Sequence, residues 1–193
     1  MSKLAVISKK SKMTEFFHVS RADITQVSKF NLDYFPGHIS CEEFYTIDEF
    51  KQHKIDLYPQ GISRHGEMYL HTPFLSVGEN LRYTPNELTL ETVFELVRQL
   101  KFPERKSRFV CSFGCLTLED AKFILNKTFN GIGNIYKVKC ENYSEADMNL
   151  VRQTGSVIGL QIIAEKYWSG KSSRNPFWEV LMENPISIIE KIS

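Results

Sequence analysis

A single acid interrupts the apolar run Phe177-Trp178-Glu179-Val180-Leu181-Met182 near the end of the chain. Strand alternation turns Glu179 to the same side as Phe177 and Leu181, and turns Trp178, Val180 and Met182 to the other. An ionised carboxylate in apolar surroundings is costly unless it is hydrogen-bonded or paired. Glu179 is therefore half of an ion pair, open to water, or held for catalysis. Near the other end, His18 and Ser20 occupy alternate positions of Phe16-Phe17-His18-Val19-Ser20 and so share a face. They are ligand-binding groups, or a half-buried strand histidine and a polar strand end. Two polar segments lie between. Gly61 to His71 packs Ser63, Arg64, His65, Glu67 and Tyr69 among glycines, as a shaped binding loop or as a solvated hairpin. Ser169 to Trp178 sets Lys171 and Arg174 beside Phe177 and Trp178. Cations beside aromatics suit a phosphate backbone with a stacked base, and equally a surface turn capped by core aromatics.

The elements that must position these groups follow from periodicity. Met13 to Ser20 reads as a strand, and residues 21–45 as irregular, aromatic-rich chain with a turn at Pro36-Gly37. Thr46-Ile47-Asp48-Glu49 has capping-box spacing and predicts a helix. Residues 58–85 read mostly as loop. Leu90, Val93, Phe94, Val97 and Leu100 recur at helical spacing ahead of Pro103. Arg108 to Phe113 reads as a strand, Thr117 caps a helix with Ala121 and Ile124 on its apolar face, and Asn134 to Cys140 alternates as a strand. A helical region is expected from about Ala146 to Tyr167 with a break near Gly155. Strands at Phe177 to Met182 and Ile186 to Ile192, around Asn184-Pro185, close the chain. Strands far apart in sequence without regular helix alternation indicate an α+β fold.

The chain has 193 residues, enough for one domain with a good core. A mobile basic lead-in is expected over residues 1–12, carrying Lys3, Lys9, Lys10 and Lys12, and a single domain over 13–193. With 24 basic and 23 acidic residues there is no global field to steer a polyanion, so any such partner must meet a local patch. Cys41, Cys111, Cys115 and Cys140 form no CxxC pair, and no apolar run has transmembrane length. A reduced, cytoplasmic protein without metal or membrane partner is the expectation. Gly131-x-Gly133 follows a helix and lacks a third glycine, so it is no dinucleotide fingerprint, and no Walker loop occurs.

Three segments taken together resemble the ADP-ribosyltransferase superfamily, with a looser similarity to DarT-type bacterial toxins. They are His18 followed by Ser20 in the first strand, Ser112-Phe113 leading into Glu119-Asp120-Ala121-Lys122-Phe123, and Glu179 on a late strand. The resemblance covers about residues 13–192 and implies a split β-sheet core with flanking helices and NAD as substrate. It implies that His18 bonds the adenosine ribose, the Val19 backbone holds the nicotinamide amide, and Ser20 supports the nicotinamide ribose. Phe113 or Ser112 stands where the family often has Tyr, and Phe113 would stack on nicotinamide. Arg64 would meet the pyrophosphate, with Arg21 as its rival. Glu179 would bond the ribose 2′-hydroxyl as the sugar becomes an oxocarbenium ion, which a fixed carboxylate stabilises in the transition state.

The segment before Glu179 is where this fold keeps its target-recognition loop, which assigns Lys171, Arg174, Phe177 and Trp178 to the acceptor. Phe177 stands where arginine- or asparagine-directed members tend to carry Gln or Glu, which turns the expectation toward RNA or DNA over protein. By analogy the protein is a toxin or defence effector, with an antitoxin or inhibitor protein as a further partner. The rival readings are NAD glycohydrolase activity and a non-catalytic binding module that kept the fold.

Overall fold

The computed structural model describes residues 13–33, 44–70 and 85–193. The basic segment 1–12, the Pro36-Gly37 turn, Cys41 and the 71–84 stretch lie outside the described residues. Two antiparallel sheets carry the described fold. The first has the order β1 (Thr14–Ser20), β4 (Asn134–Cys140), β7 (Ile186–Lys191), β2 (Lys29–Phe30). The second has the order β3 (Cys111–Gly114), β6 (Trp178–Glu183), β5 (Tyr143–Asp147). All strand pairs among the described residues are antiparallel and the helices do not alternate regularly with them, so the architecture is α+β.

The helix starts follow their caps. Thr46 and Glu49 form the reciprocal capping box expected of them, and α1 runs over Ile47–Leu57. Thr117 accepts from the Asp120 N–H and opens α4 (Leu118–Lys127), whose buried Ala121 faces Cys115 and Ile135. In α3 (Pro85–Lys101), Leu90, Phe94 and Val97 are buried at helical spacing. They pack with Leu160, Ala164, Tyr167 and Trp168 of α5 (Val157–Trp168) against Cys111, Ala146 and Leu181 of the second sheet. A second core lies between the sheets, where Phe16, Tyr136, Val138 and Ile186 meet Val180 and Met182.

Three stretches depart from periodicity. Residues 64–70, expected within a loop, form α2 (Arg64–Leu70), a helix with a buried glycine in its middle. A Cβ at Gly66 would stand 2.3 Å from the Phe109 carbonyl oxygen, so only glycine lets α2 approach that backbone. Tyr143 to Asp147 pairs with β6 as a strand and the following turn is 3-10 helical, so the helix expected from Ala146 begins only at Val157. Arg108–Val110 is a 3-10 turn capped by Ser107, and the strand proper starts at Cys111.

The sheets are joined by one bridge. Phe17 N–H donates to Cys115 O at 3.1 Å and Cys115 N–H to Phe17 O at 2.7 Å, after which β1 and β3 part. His18, Val19 and Phe113 lie around this split.

Candidate functional site

At the split the ladder gives way to a side chain. Antiparallel pairing continued from Phe17 and Cys115 would set Val19 opposite Phe113. Instead the His18 ring closes the gap, its Nδ1 2.7 Å from the Phe113 carbonyl oxygen. A carbonyl only accepts, so Nδ1 carries the proton and Nε2 presents a lone pair. Burial holds the His18 pKa below its ordinary value, against the pull of that carbonyl and with the Arg64 charge acting in the same direction. His18 is thus a neutral acceptor at neutral pH.

The displacement leaves the Val19 backbone open. Strand residues alternate in which neighbour they bond; Phe17 faces Cys115, so Val19 faces the same way. On the other side Val19 stands opposite Ile135, whose N–H and C=O bond Ser193 and Ile192. Among the described residues, the Val19 N–H and C=O have no backbone partner, and they point into the split side by side.

Glu179 lies two strands away, beyond β3. It is 6 % exposed, and its Oε1 accepts from Arg108 Nη1 and from the Tyr167 hydroxyl, each at 2.7 Å. Its Oε2 has no partner among the described residues. Arg108 is the hub of the cluster. Its Nε and Nη2 grip Glu91 of α3 at 3.1 Å each, and its guanidinium lies 4.7 Å from the centre of the Phe113 ring. Burial alone would lower the Arg108 pKa; the Glu179 and Glu91 carboxylates override it and hold the guanidinium well above its ordinary value. Burial would likewise raise Glu91, but Arg108 and His65 hold its carboxyl well below the usual range. His65 Nε2 is 3.2 Å from Glu91 Oε1, though not aligned for a hydrogen bond, and its ring meets Phe113 edge-on with centroids 4.8 Å apart. Burial pushes the Tyr167 hydroxyl pKa well up, so the group stays protonated and donates to Glu179.

Helix α2 links the two places. Its start is pinned by the Ser63 N–H and Oγ, both donating to Phe109 O. Arg64 is exposed and its charge reaches the His18 ring, while the next residue, His65, turns to Glu91. Strand alternation sends His18 with Phe16 toward the inter-sheet core and Glu179 toward α3 and α5. The two side chains therefore meet one ligand only across the split, where Val19 and Phe113 lie between them. Two strand spacings set β1 and β6 about 10 Å apart, comparable with the length of a nucleoside.

The remaining expected residues are placed as follows. Ser112 is on the opposite face of β3 from Phe113 and donates to Asn184 Oδ1 at 3.0 Å. Ser20 Oγ is turned back on the Ala22 carbonyl at 3.0 Å. Arg21, the residue after β1, stacks on Phe129, 4.8 Å from the ring centre. Phe177 packs on Phe123 of α4, their centroids 5.4 Å apart, and Trp178 is half-buried opposite Asp147. Lys171 and Arg174 are exposed.

Sequence reading missed Arg108, Tyr167, Glu91 and Asp147. Asp147 is fully buried and accepts from the backbone N–H groups of Asn149, Ser173 and Phe177 at 2.7–2.9 Å, which fixes the chain before Glu179. Burial would raise its pKa; the bonds from Ser173, Phe177 and Asn149 hold it below the ordinary value. The one available signal was Glu179 itself, whose position in an apolar strand demands a buried cation such as Arg108.

Among the described residues no group of His, Cys, Asp and Glu is arranged to hold a metal ion, and no helix is long and apolar enough to cross a membrane. Cys111, Cys115 and Cys140 are buried free thiols. No curated protein matches the sequence. The sequence model of the family described as "Protein of unknown function (DUF2441)" matches residues 8–193, nearly the whole chain, and the protein belongs to that family.

Proposed function

We propose that the protein transfers ADP-ribose from NAD to a macromolecular acceptor. The observation that carries this reading is the Val19 N–H and C=O pair left open at the split, beside the Phe113 carbonyl that His18 engages. One donor and one acceptor side by side complement a primary carboxamide, and the Phe113 ring, which meets Arg108 and His65, is the aromatic face for the nicotinamide ring.

The other groups take roles that fit their geometry. His18 Nε2 accepts a ribose hydroxyl, and exposed Arg64, whose charge reaches His18, meets the pyrophosphate. Glu179 is fixed through Oε1 by Arg108 and Tyr167, which leaves Oε2 for the hydroxyl of the reacting ribose. The Glu91, Glu179 and Arg108 trio carries one negative charge more than positive. That excess favours a ligand that is cationic in the ground state and whose sugar becomes cationic in the transition state. In the reaction the bond from ribose C1′ to the nicotinamide nitrogen breaks, and its electron pair leaves with neutral nicotinamide. The acceptor's nucleophilic atom then bonds C1′ and releases its proton.

The second reading, an inert module that kept this fold, draws on the near-complete enclosure of Glu179, which is 6 % exposed. Calorimetry with NAD and turnover by Glu179→Gln separate the two. The transferase reading requires NAD binding, a loss of roughly 10²-fold or more in NAD turnover, and little change in affinity, because the carboxylate acts on charge that develops only in the transition state. Absent NAD binding, or a variant with wild-type turnover, rejects it.

A further inference from the structure

A depression of about 390 Å³ opens where the chain leaves β5 and returns to β6. Its volume falls at the low end of small-ligand clefts, roughly 300–1,000 Å³. Leu150 and Ile163 line it, with Arg152 and Arg174 and the side chains of Asn149 and Asn175. No carboxylate is among the lining residues.

The frame is built rather than incidental. Buried Asp147 bonds the N–H groups of Asn149, Ser173 and Phe177, which ties both walls to one carboxylate. Asn149 Nδ2 donates across the gap to the Asn175 carbonyl at 2.6 Å. The two guanidiniums, in contrast, are little used. Arg152 makes one long contact of 3.4 Å to Asn149 Oδ1, and Arg174 has no partner among the described residues. Two guanidinium forks on a fixed frame, one held only by a long bond and the other unpaired among the described residues, with no acid lining the space, call for an anion with several acceptor oxygens.

We infer that this depression binds a phosphodiester of single-stranded nucleic acid, with Arg152 and Arg174 on its oxygens and Leu150 and Ile163 beneath the attached nucleoside. The aromatics Phe177 and Trp178 are not the stacking platform, because Phe177 is engaged with Phe123 and Trp178 is half-buried in β6. The cleft lies at the end of β6 that carries Glu179: Trp178 pairs with Asp147 and Glu179 with Ala146. A nucleic-acid strand held there sits at the Trp178 end of β6, where the residue after Trp178 is Glu179. That it is the acceptor rests on the transferase reading; that it binds does not.

The test is titration of the full chain, without NAD, with a fluorescein-labelled single-stranded oligonucleotide across a salt series. Arg152→Glu/Arg174→Glu is compared with an equal reversal at exposed Lys29 and Lys127, which do not line the depression, and thermal melts confirm that each variant folds. Each phosphate neutralised on a single strand contributes about 0.7 to the slope of log affinity against log salt, so releasing the one phosphodiester held by both arginines lowers that slope by about 0.7. Affinity at low salt is expected to fall at least tenfold in the arginine pair and to hold in the lysine pair. Inorganic phosphate as competitor distinguishes a strand from a free anion: the strand reading expects displacement only at large excess. No oligonucleotide binding, an unchanged slope in the arginine pair, an equal loss in the lysine pair, or displacement by equimolar phosphate would each overturn the inference. None of these results depends on NAD turnover, so failure here leaves the NAD reading standing, and the reverse holds too.

Discussion

Replacing Arg108 by Leu tests the charge arithmetic of the site. The guanidinium makes three bonds to Glu91 and one each to Glu179 and Tyr167, all within 8 % exposure for the charged side chains involved. Without it, two buried carboxylates face each other, Glu179 keeping only Tyr167 and Glu91 only His65. Breaking one buried pair costs about 3–5 kcal/mol, chiefly because the remaining charge is uncompensated. At this chain length each kcal/mol lowers the melting temperature by roughly 2–4 °C, so a drop of about 6–20 °C is expected. If stranded charge is the cause, Glu91→Gln/Arg108→Leu/Glu179→Gln should recover most of the loss, since a neutralised cluster is often as stable as the ionic one. The pH dependence gives a second sign. In the wild type Glu91 has a depressed pKa, so its contribution is present above the ordinary glutamate range and is lost as pH falls through the folded value. In Arg108→Leu, burial without the cation raises the folded pKa of Glu91, so the gap to wild type narrows as pH drops from 7 toward 5. Urea denaturation at several pH values reads both effects. A single variant costing under about 1 kcal/mol, or a triple variant no more stable than the single, refutes the reasoning.

Two further outcomes are expected. His18→Ala should weaken NAD binding by about 1–3 kcal/mol, the range for a lost buried hydrogen bond, as read by calorimetry; unchanged NAD affinity with a lowered melting temperature would instead make His18 a core residue. Because burial lowers its pKa, His18 stabilises the fold above its ordinary value near 6.5, and that contribution is lost as pH falls below it. Gly66→Ala places a Cβ 2.3 Å from a backbone oxygen that cannot swing aside, so overpacking should cost about 1–3 kcal/mol or more in urea denaturation. Wild-type stability for that variant would mean that α2 does not dock as described.

Local chemistry made much of this fold legible. The Thr46 and Thr117 caps named their helices, and alternation named β1 and β4, because each signal is complete within a few residues. Helix α2 was hidden because its evidence is distant: Gly66 looks like a breaker until the Phe109 backbone is seen against it. Tyr143 to Asp147 carries polar residues at strand positions, since its pairing with β6 and the Asp147 bonds lie about thirty residues downstream. Within the site, Glu179 announced that it needed a partner, but nothing near it in sequence identified Arg108, 71 residues earlier. Ser112 fell on the unexpected face for a plain reason, its immediate neighbour Phe113 already occupying the side toward Arg108.

Asp147 holds the segment before Glu179 by three bonds, and each donor is main chain. Every amino acid except proline offers that donor, so the shape of this segment does not depend on which side chains it displays. Residues 171–176 can therefore diverge among relatives without altering the frame, and a new set of contacts can be selected there while the strand behind it stays in register. Form and recognition are encoded separately at this edge of the molecule: one buried acid specifies the first, and a handful of solvent-facing positions are free to explore the second.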